Sequence, residues 1–84
     1  MTIEKLRNKI DAIDAEMIQL FESRMEIVKD IGMLKKKNQA NVLDQNREAQ
    51  VIAKVVSRLQ NKALEPYVIE LFETLMRVSK DYQK

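Results

Sequence analysis

Apolar residues recur at helical spacing along this 84-residue chain and form apolar stripes, and polar or charged side chains occupy some of the positions in these stripes. Those that lie in line with a stripe, near one of its ends, are Arg24, Lys35, Arg47, Glu48, Ser79 and Gln83. An unpaired buried charge is very costly, so cations in line with apolar faces require an anionic partner. These cations, a carboxylate and two neutral hydrogen-bonding groups together predict a pocket for a small anion.

Each of these residues also has a simpler explanation when it is taken alone. An arginine within an apolar series often sets the register between helices or forms an ion pair between subunits, and Arg24 fits that description. Lys35 opens a run of lysines, and such runs are usually solvated helix ends. The other residues are compatible with surface salt bridges or ordinary surface positions. Their shared alignment with core faces favours the pocket.

The absence of cysteine and histidine narrows the chemistry that the chain could perform. It excludes a disulfide framework, a thiolate nucleophile, a Ser-His pair and an ordinary zinc site. An enzyme of this composition must work with Arg, Lys, Glu, Asp, Ser and Gln side chains. We expect no metal and no cofactor.

Charge and hydropathy limit the partners of the chain. A net charge of +2 is too small for a dedicated polyanion binder, and the few aromatic residues form no base-stacking platform. No apolar run is long enough to span a membrane. The N-terminal segment MTIEKLRNKIDAID is charged throughout and does not resemble a signal peptide. We expect a cytoplasmic protein that binds neither nucleic acid nor membrane.

The first element that must position these residues is a long amphipathic helix. Its apolar positions, called the seam below, are Ile3, Leu6, Ile10, Ile13, Met17, Leu20, Ile27, Ile31 and Leu34. Their alternating spacing of three and four predicts a helix about 50 Å long. Two short helices could not cover it, so part of the seam is expected to pack against a second copy of the chain. A plain coiled-coil dimer would show the same periodicity.

Arg24 and Lys35 fall on related faces of this helix. Arg24 takes the seam position that follows Leu20, and Lys35 comes eleven residues later. Eleven residues are about three turns, so Lys35 returns to the same face roughly 16 Å further along.

Two shorter helices follow. The polar stretch Lys36–Asn41 predicts the first connection, and Asp44 is a suitable N-cap for the second helix. A second break is expected at residues 60–63, before Glu65-Pro66 opens the third helix. The apolar face of the second helix comprises Val51, Ile52, Val55, Val56 and Leu59, and that of the third Val68, Ile69, Leu71, Phe72, Leu75, Met76 and Val78. The chain is predicted to be one all-α domain over residues 1–84, and its small size favours an oligomer.

Four segments in order resemble the all-helical chorismate mutases. They are LRNKIDAID at residues 6–14, FESRMEIVKDIGMLKKK at 21–37, VLDQNREAQVI at 42–52 and YVIELFETLMRVSKDYQ at 67–83. The resemblance covers nearly the whole chain. It implies an intertwined homodimer of three-helix protomers that rearranges chorismate to prephenate, as an isomerase in phenylalanine and tyrosine biosynthesis. The family's site positions fall on Arg7, Arg24, Lys35, Asp44, Arg47, Glu48, Ser79 and Gln83.

The resemblance also implies a role for each position. Arg24, Ser79 and Arg7 would hold the two carboxylates of chorismate, with help from Lys35. Lys35 and Gln83 would donate to the ether oxygen whose bond breaks.

The remaining site positions concern the ring hydroxyl and the choice between related reactions. Glu48, with the backbone at Asp44, would accept the hydroxyl, and Arg47 would support the anionic pocket. A related isochorismate-pyruvate lyase shares the scaffold but lacks the acidic pair, so Asp44 and Glu48 favour the mutase. A non-catalytic helical dimerisation or regulatory domain is the alternative from another class.

The length of the first helix decides where Arg7 can act. Arg7 and Lys35 are 28 residues apart on one helix, which is about 42 Å. A molecule of chorismate's size, roughly 10 Å across, could not touch both. If both serve one site, Arg7 must come from the partner subunit through a two-fold pairing of the long helices.

Overall fold

The computed structural model describes residues 1–37 and 45–83, and three α-helices account for most of them. Helix α1 spans Ile3–Lys37, α2 spans Gln45–Arg58 and α3 spans Glu65–Gln83, with a short 3-10 helix at Lys62–Leu64. The described residues contain no strand, which confirms the all-α prediction. None of the helices in this part of the chain is long and apolar enough to cross a membrane.

The ends of α1 have local causes. The hydroxyl of Thr2 accepts a hydrogen bond from the backbone N–H of Lys5 at 3.2 Å and caps the first turn. Lysines 35–37 form the last turn, where cations interact favourably with the helix dipole. The prediction that the first connection begins at Lys36 was therefore wrong, since Lys36 and Lys37 continue the helix. The rest of that predicted connection, and Asp44 as an N-cap, lie outside the described residues.

The break between α2 and α3 contains more structure than its sequence predicts. Asn61 accepts a hydrogen bond from the N–H of Ala63 at 3.1 Å through its side chain. The ammonium of Lys62 donates to the carbonyl of Val56 at 2.9 Å and satisfies an acceptor in the last turn of α2. Lys62 and Ala63 thus belong to the 3-10 helix rather than to an irregular break, while the predicted start of α3 at Glu65 is confirmed.

Helix α3 is the central element of the protomer. It packs against both α1 and α2, whereas no Cα of α1 lies within 8 Å of a Cα of α2 among the described residues. Phe21 lies beside Phe72, and Gly32 lies beside Gln83 further along, so α1 and α3 run in the same direction. Glu48 at the start of α2 pairs with Lys80 near the end of α3, so these two helices are antiparallel. A gap therefore separates α1 from α2 above α3.

Helix α1 carries two apolar faces, although the periodicity singled out only one. The face that meets α3 includes Val28 and Gly32, both of which are buried. The seam residues, by contrast, remain 41–69% exposed within one chain. All of residues 1–23 are exposed. The seam prediction was incomplete, because the heptad series does not include the shorter face that packs within the protomer.

The core of one protomer is thin, so its central residue is expected to matter for stability. Met76 is 8% exposed, whereas Met33 on α1 is 61% exposed. We expect Met76→Ala to lower the free energy of unfolding by about 2–4 kcal/mol through lost burial and a residual cavity. Met33→Ala, the matched control, should change it by about 0.5 kcal/mol or less. Urea unfolding followed by circular dichroism measures both, and equal losses would contradict this assignment of the core.

Candidate active site

A cavity of about 340 Å³ occupies the gap between α1 and α2, with α3 as its floor. This volume is in the range of small-molecule sites. Its apolar walls are Val28, Ile31, Val51 and Met76, and its polar lining is Arg24, Lys35, Arg47, Glu48, Ser79, Lys80 and Gln83. A larger groove of about 530 Å³ beside Phe21 and Tyr82 contains no comparable cluster of cations. All three helices thus contribute polar groups to one space.

Arg24 is fixed in the cavity by Ser79. Its Nη1 donates to the hydroxyl of Ser79 at 2.6 Å, and that hydroxyl donates in turn to the carbonyl of Leu75 at 2.7 Å. Ser79 is 7% exposed, so this chain of hydrogen bonds is shielded from bulk water. A guanidinium has five N–H donors, so an anion in the cavity could still be bound by the others.

Positive charge is concentrated in the cavity. Burial, followed by the charge of Arg47, lowers the pKa of Arg24 from its ordinary value. The lining includes four cations and one carboxylate, a net formal charge of +3. Like charges that face one low-dielectric space repel each other, and a bound anion relieves that repulsion. The electrostatics of the cavity therefore suit a small anion of more than one charge.

Lys80 is a cavity residue that the sequence analysis missed. Its ammonium lies 3.2 Å from Oε1 and 3.3 Å from Oε2 of Glu48. Lys80 follows Met76 by one helical turn, so it continues the buried face of α3. That spacing was the available signal, but the partner carboxylate is on another helix and only the fold brings the two together.

Gln83 reaches the cavity because Gly32 lets the end of α3 approach α1 closely. A Cβ placed on Gly32 would lie 3.0 Å from Cγ and 3.2 Å from Cβ of Gln83. The side-chain oxygen of Gln83 is buried and has no hydrogen-bond partner among the described residues. An unpaired buried acceptor costs about 1–3 kcal/mol, so this oxygen is available to accept a hydrogen bond from a ligand.

The structure brings together six of the eight predicted site residues. Lys35 lines the same cavity as Arg24, as their spacing predicted, and Arg47 lines it although it is classed as exposed. Arg7 does not join them, because it lies near the other end of the continuous helix α1 and is exposed. Asp44 is outside the described residues. The roles of all eight in binding or catalysis stay predictions.

The acidic and basic residues do not assemble a metal site in the described part of the chain. No group of three or more carboxylates in residues 1–37 and 46–83 could hold a metal ion. The polar lining of the cavity instead offers donors for an anion.

A comparison with known protein families identifies the family of the chain. The model of the family described as chorismate mutase type II matches residues 6–84, which is almost the entire chain. Neither the curated proteins nor the solved structures include a match to the chain. The family is all-helical and implies an isomerase-type reaction. The chain belongs to the type II chorismate mutase family.

Proposed function

We propose that this protein converts chorismate to prephenate as a cytoplasmic homodimer and thereby supplies phenylalanine and tyrosine biosynthesis. The observation that carries the proposal is the convergence of Arg24, Lys35, Glu48 and Gln83 on one cationic cavity. Membership of the chorismate mutase family supports the choice of substrate. The reaction is a Claisen rearrangement, which is unimolecular and requires no nucleophile, no obligatory proton transfer and no cofactor.

Binding must fold a flexible dianion into the chair conformation in which the reacting carbons meet. Arginine is suited to the carboxylates because its planar fork can donate two parallel hydrogen bonds. Arg24, held by Ser79, would bind one carboxylate, and Arg7 of the partner subunit would bind the other, with Lys35 assisting. Fixing both ends restricts the substrate to few conformers and contributes through orientation.

Negative charge grows on the ether oxygen as its bond to carbon breaks. The ammonium of Lys35 and the amide of Gln83 would donate to this oxygen from fixed positions. Donors that are oriented before a reaction stabilise its transition state more than its ground state. One such donor is worth about 3–4 kcal/mol in other enzymes, which is a few-hundred-fold in rate.

The other end of the cavity would recognise the ring hydroxyl. Glu48 is directed into the cavity from α2, and its carboxylate can accept a hydrogen bond from this hydroxyl. The backbone at Asp44 would be the second contact. Arg47 adds positive charge on the same helix and would support binding of the dianion.

The exposure of α1 supports a homodimer. Apart from the seam position held by Arg24, the seam is an apolar series, and α1 is exposed in one chain from Ile3 to Ser23. Large exposed apolar surfaces mark interaction sites. A two-fold pairing of α1 helices would bury both seams at once. It would also bring Arg7 of each subunit toward the cavity of the other. We therefore propose an intertwined dimer with two equivalent shared sites.

The activity itself is the first prediction. Purified protein incubated with chorismate should consume the substrate's ultraviolet absorbance and form prephenate. Lys35→Ala should lower kcat about a hundredfold or more because it removes a donor to the developing oxyanion. Lys36→Ala, the control, should have little effect because Lys36 does not line the cavity. Salicylate and pyruvate formed from isochorismate would establish the lyase instead, and inactivity toward both compounds would favour a non-catalytic domain.

Shared sites predict complementation between two inactive variants. Arg7→Ala and Lys35→Ala homodimers should both be nearly inactive, because every cavity in them lacks one cation. In a mixed dimer, one cavity receives both intact residues and the other receives neither. After complete subunit exchange, statistical mixing should restore about a quarter of the wild-type activity. If exchange is verified by mass spectrometry and no activity returns, the sites are not shared.

The contact between Gly32 and Gln83 predicts a variant that separates activity from stability. Gly32→Ala should favour helix α1 by about 1 kcal/mol, which the tight contact with Gln83 partly offsets. Displacement of the Gln83 amide should nevertheless lower kcat about tenfold. Thermal unfolding and steady-state kinetics measure the two effects. The loss of kcat should be much smaller in a Gln83→Ala background, and an undiminished loss there would show that Gly32 does not act through Gln83.

A further inference from the structure

An ion pair between α2 and α3 forms part of the cavity wall, and its lysine has no role in the function proposed above. Lys80 Nζ lies within 3.3 Å of both carboxylate oxygens of Glu48. The side chains of Lys80 and Glu48 are only 31% and 28% exposed, and both line the cavity. The pair therefore faces the space that a ligand would occupy.

A second ion pair on α3 shows what an ordinary surface contact looks like in this chain. Arg77 and Asp81 lie one turn apart, are 65% and 61% exposed, and approach only to 3.7 Å. Exposed pairs of this kind contribute little to stability. The Lys80–Glu48 pair differs in joining residues that are 32 positions apart on two helices and in contacting both oxygens of the carboxylate. It fixes the orientation of a flexible side chain at a defined place.

The geometry leaves Glu48 able to accept a further hydrogen bond. An ionised carboxylate has about four lone-pair positions, and a lysine that bridges the two oxygens occupies about one on each. The remaining lone pairs are available to a hydroxyl group in the cavity. Lys80 can therefore hold Glu48 in place without competing for its whole hydrogen-bonding capacity.

We propose that Lys80 is a positioning residue for Glu48, whose carboxylate it holds toward the ring hydroxyl of the bound substrate. This inference rests on the proposed function, in which Glu48 accepts that hydroxyl. Lys80 directly follows Ser79, which fixes Arg24. Adjacent residues of α3 therefore hold two groups of the site. Ser79 holds Arg24, which would bind a carboxylate of the substrate, and Lys80 holds Glu48, which would bind the hydroxyl at its other end.

Removal of the ammonium tests the proposal. Lys80→Met keeps an unbranched stem of similar bulk but frees Glu48 to rotate, and it should lower kcat/KM for chorismate about five- to tenfold. Lys80→Arg retains a cation that can bridge both oxygens and should recover most of this loss. Lys54→Met makes the same change of charge at an exposed position of α2 outside the cavity and should leave kcat/KM within about twofold of wild type. Circular dichroism verifies that each variant is folded, and Lys80→Gln replaces Lys80→Met if the latter is not.

A double-mutant cycle distinguishes positioning from a direct effect on the substrate. If Lys80 acts through Glu48, Lys80→Met should cause almost no further loss in a Glu48→Gln background. Equal losses in both backgrounds would mean that Lys80 acts on the charge of the substrate itself, and this result would overturn the proposal. So would a Lys80→Met enzyme whose kcat/KM equals that of wild type.

The same variants separate failure of this inference from failure of the proposed function. If the wild-type protein does not rearrange chorismate, the proposed function is wrong. The ion pair is then tested by nitrogen–proton correlation NMR of the lysine ammonium groups. The Lys80 signal should be observable and should shift in Glu48→Gln but not in Glu73→Gln, a matched change at an exposed position of α3. A Lys80 signal that is insensitive to Glu48→Gln would overturn the positioning role.

Discussion

Arg24 donates to the buried hydroxyl of Ser79, and this contact determines how α1 and α3 can pack around the cavity. Ser79 in turn donates to a carbonyl one turn earlier in its own helix, so its hydroxyl cannot rotate freely. The guanidinium is held near α3 and is repelled by the like charge of a second arginine, Arg47. A bound anion attracts both cations and so offsets their mutual repulsion.

The separation of α1 from α2 follows from the central position of α3. If α1 and α2 touched along their length, apolar side chains would fill the space between them. Because each contacts only α3 among the described residues, the gap between them remains open and polar groups from both can enter it. Two contacts set the spacing of the helices around this gap, one short and one long. Gly32 removes a side chain so that Gln83 can approach, and the Lys80–Glu48 pair joins α3 to α2 with two long side chains.

The sequence predicts the helices well because their determinants are local. Glu65-Pro66 marks the start of α3 through the geometry of proline, and the spacing of Arg24 and Lys35 places both on one face. The end of α1 was missed because a lysine run resembles a solvated connection while also being favourable in a last helical turn. Lys80 was missed for a different reason. Its spacing from Met76 places it on the buried face of α3, but its partner Glu48 is distant in sequence and only the fold brings the two together.

Association and catalysis are coupled in the proposed dimer because both depend on the same face of α1. Full burial of one large aliphatic side chain is worth about 1.5–3 kcal/mol, so pairing several seam residues can exceed the entropic cost of bringing two chains together. The core within one protomer is small, and among the described residues the seam holds nine of the large hydrophobic side chains that the fold leaves exposed. The register that buries the two seams also fixes where each Arg7 lies relative to the opposite cavity. A shift of one helical turn would move that guanidinium by about 5 Å, farther than a hydrogen bond can span. In the proposed dimer, seam residues that never touch the substrate would therefore help to set the geometry of the site.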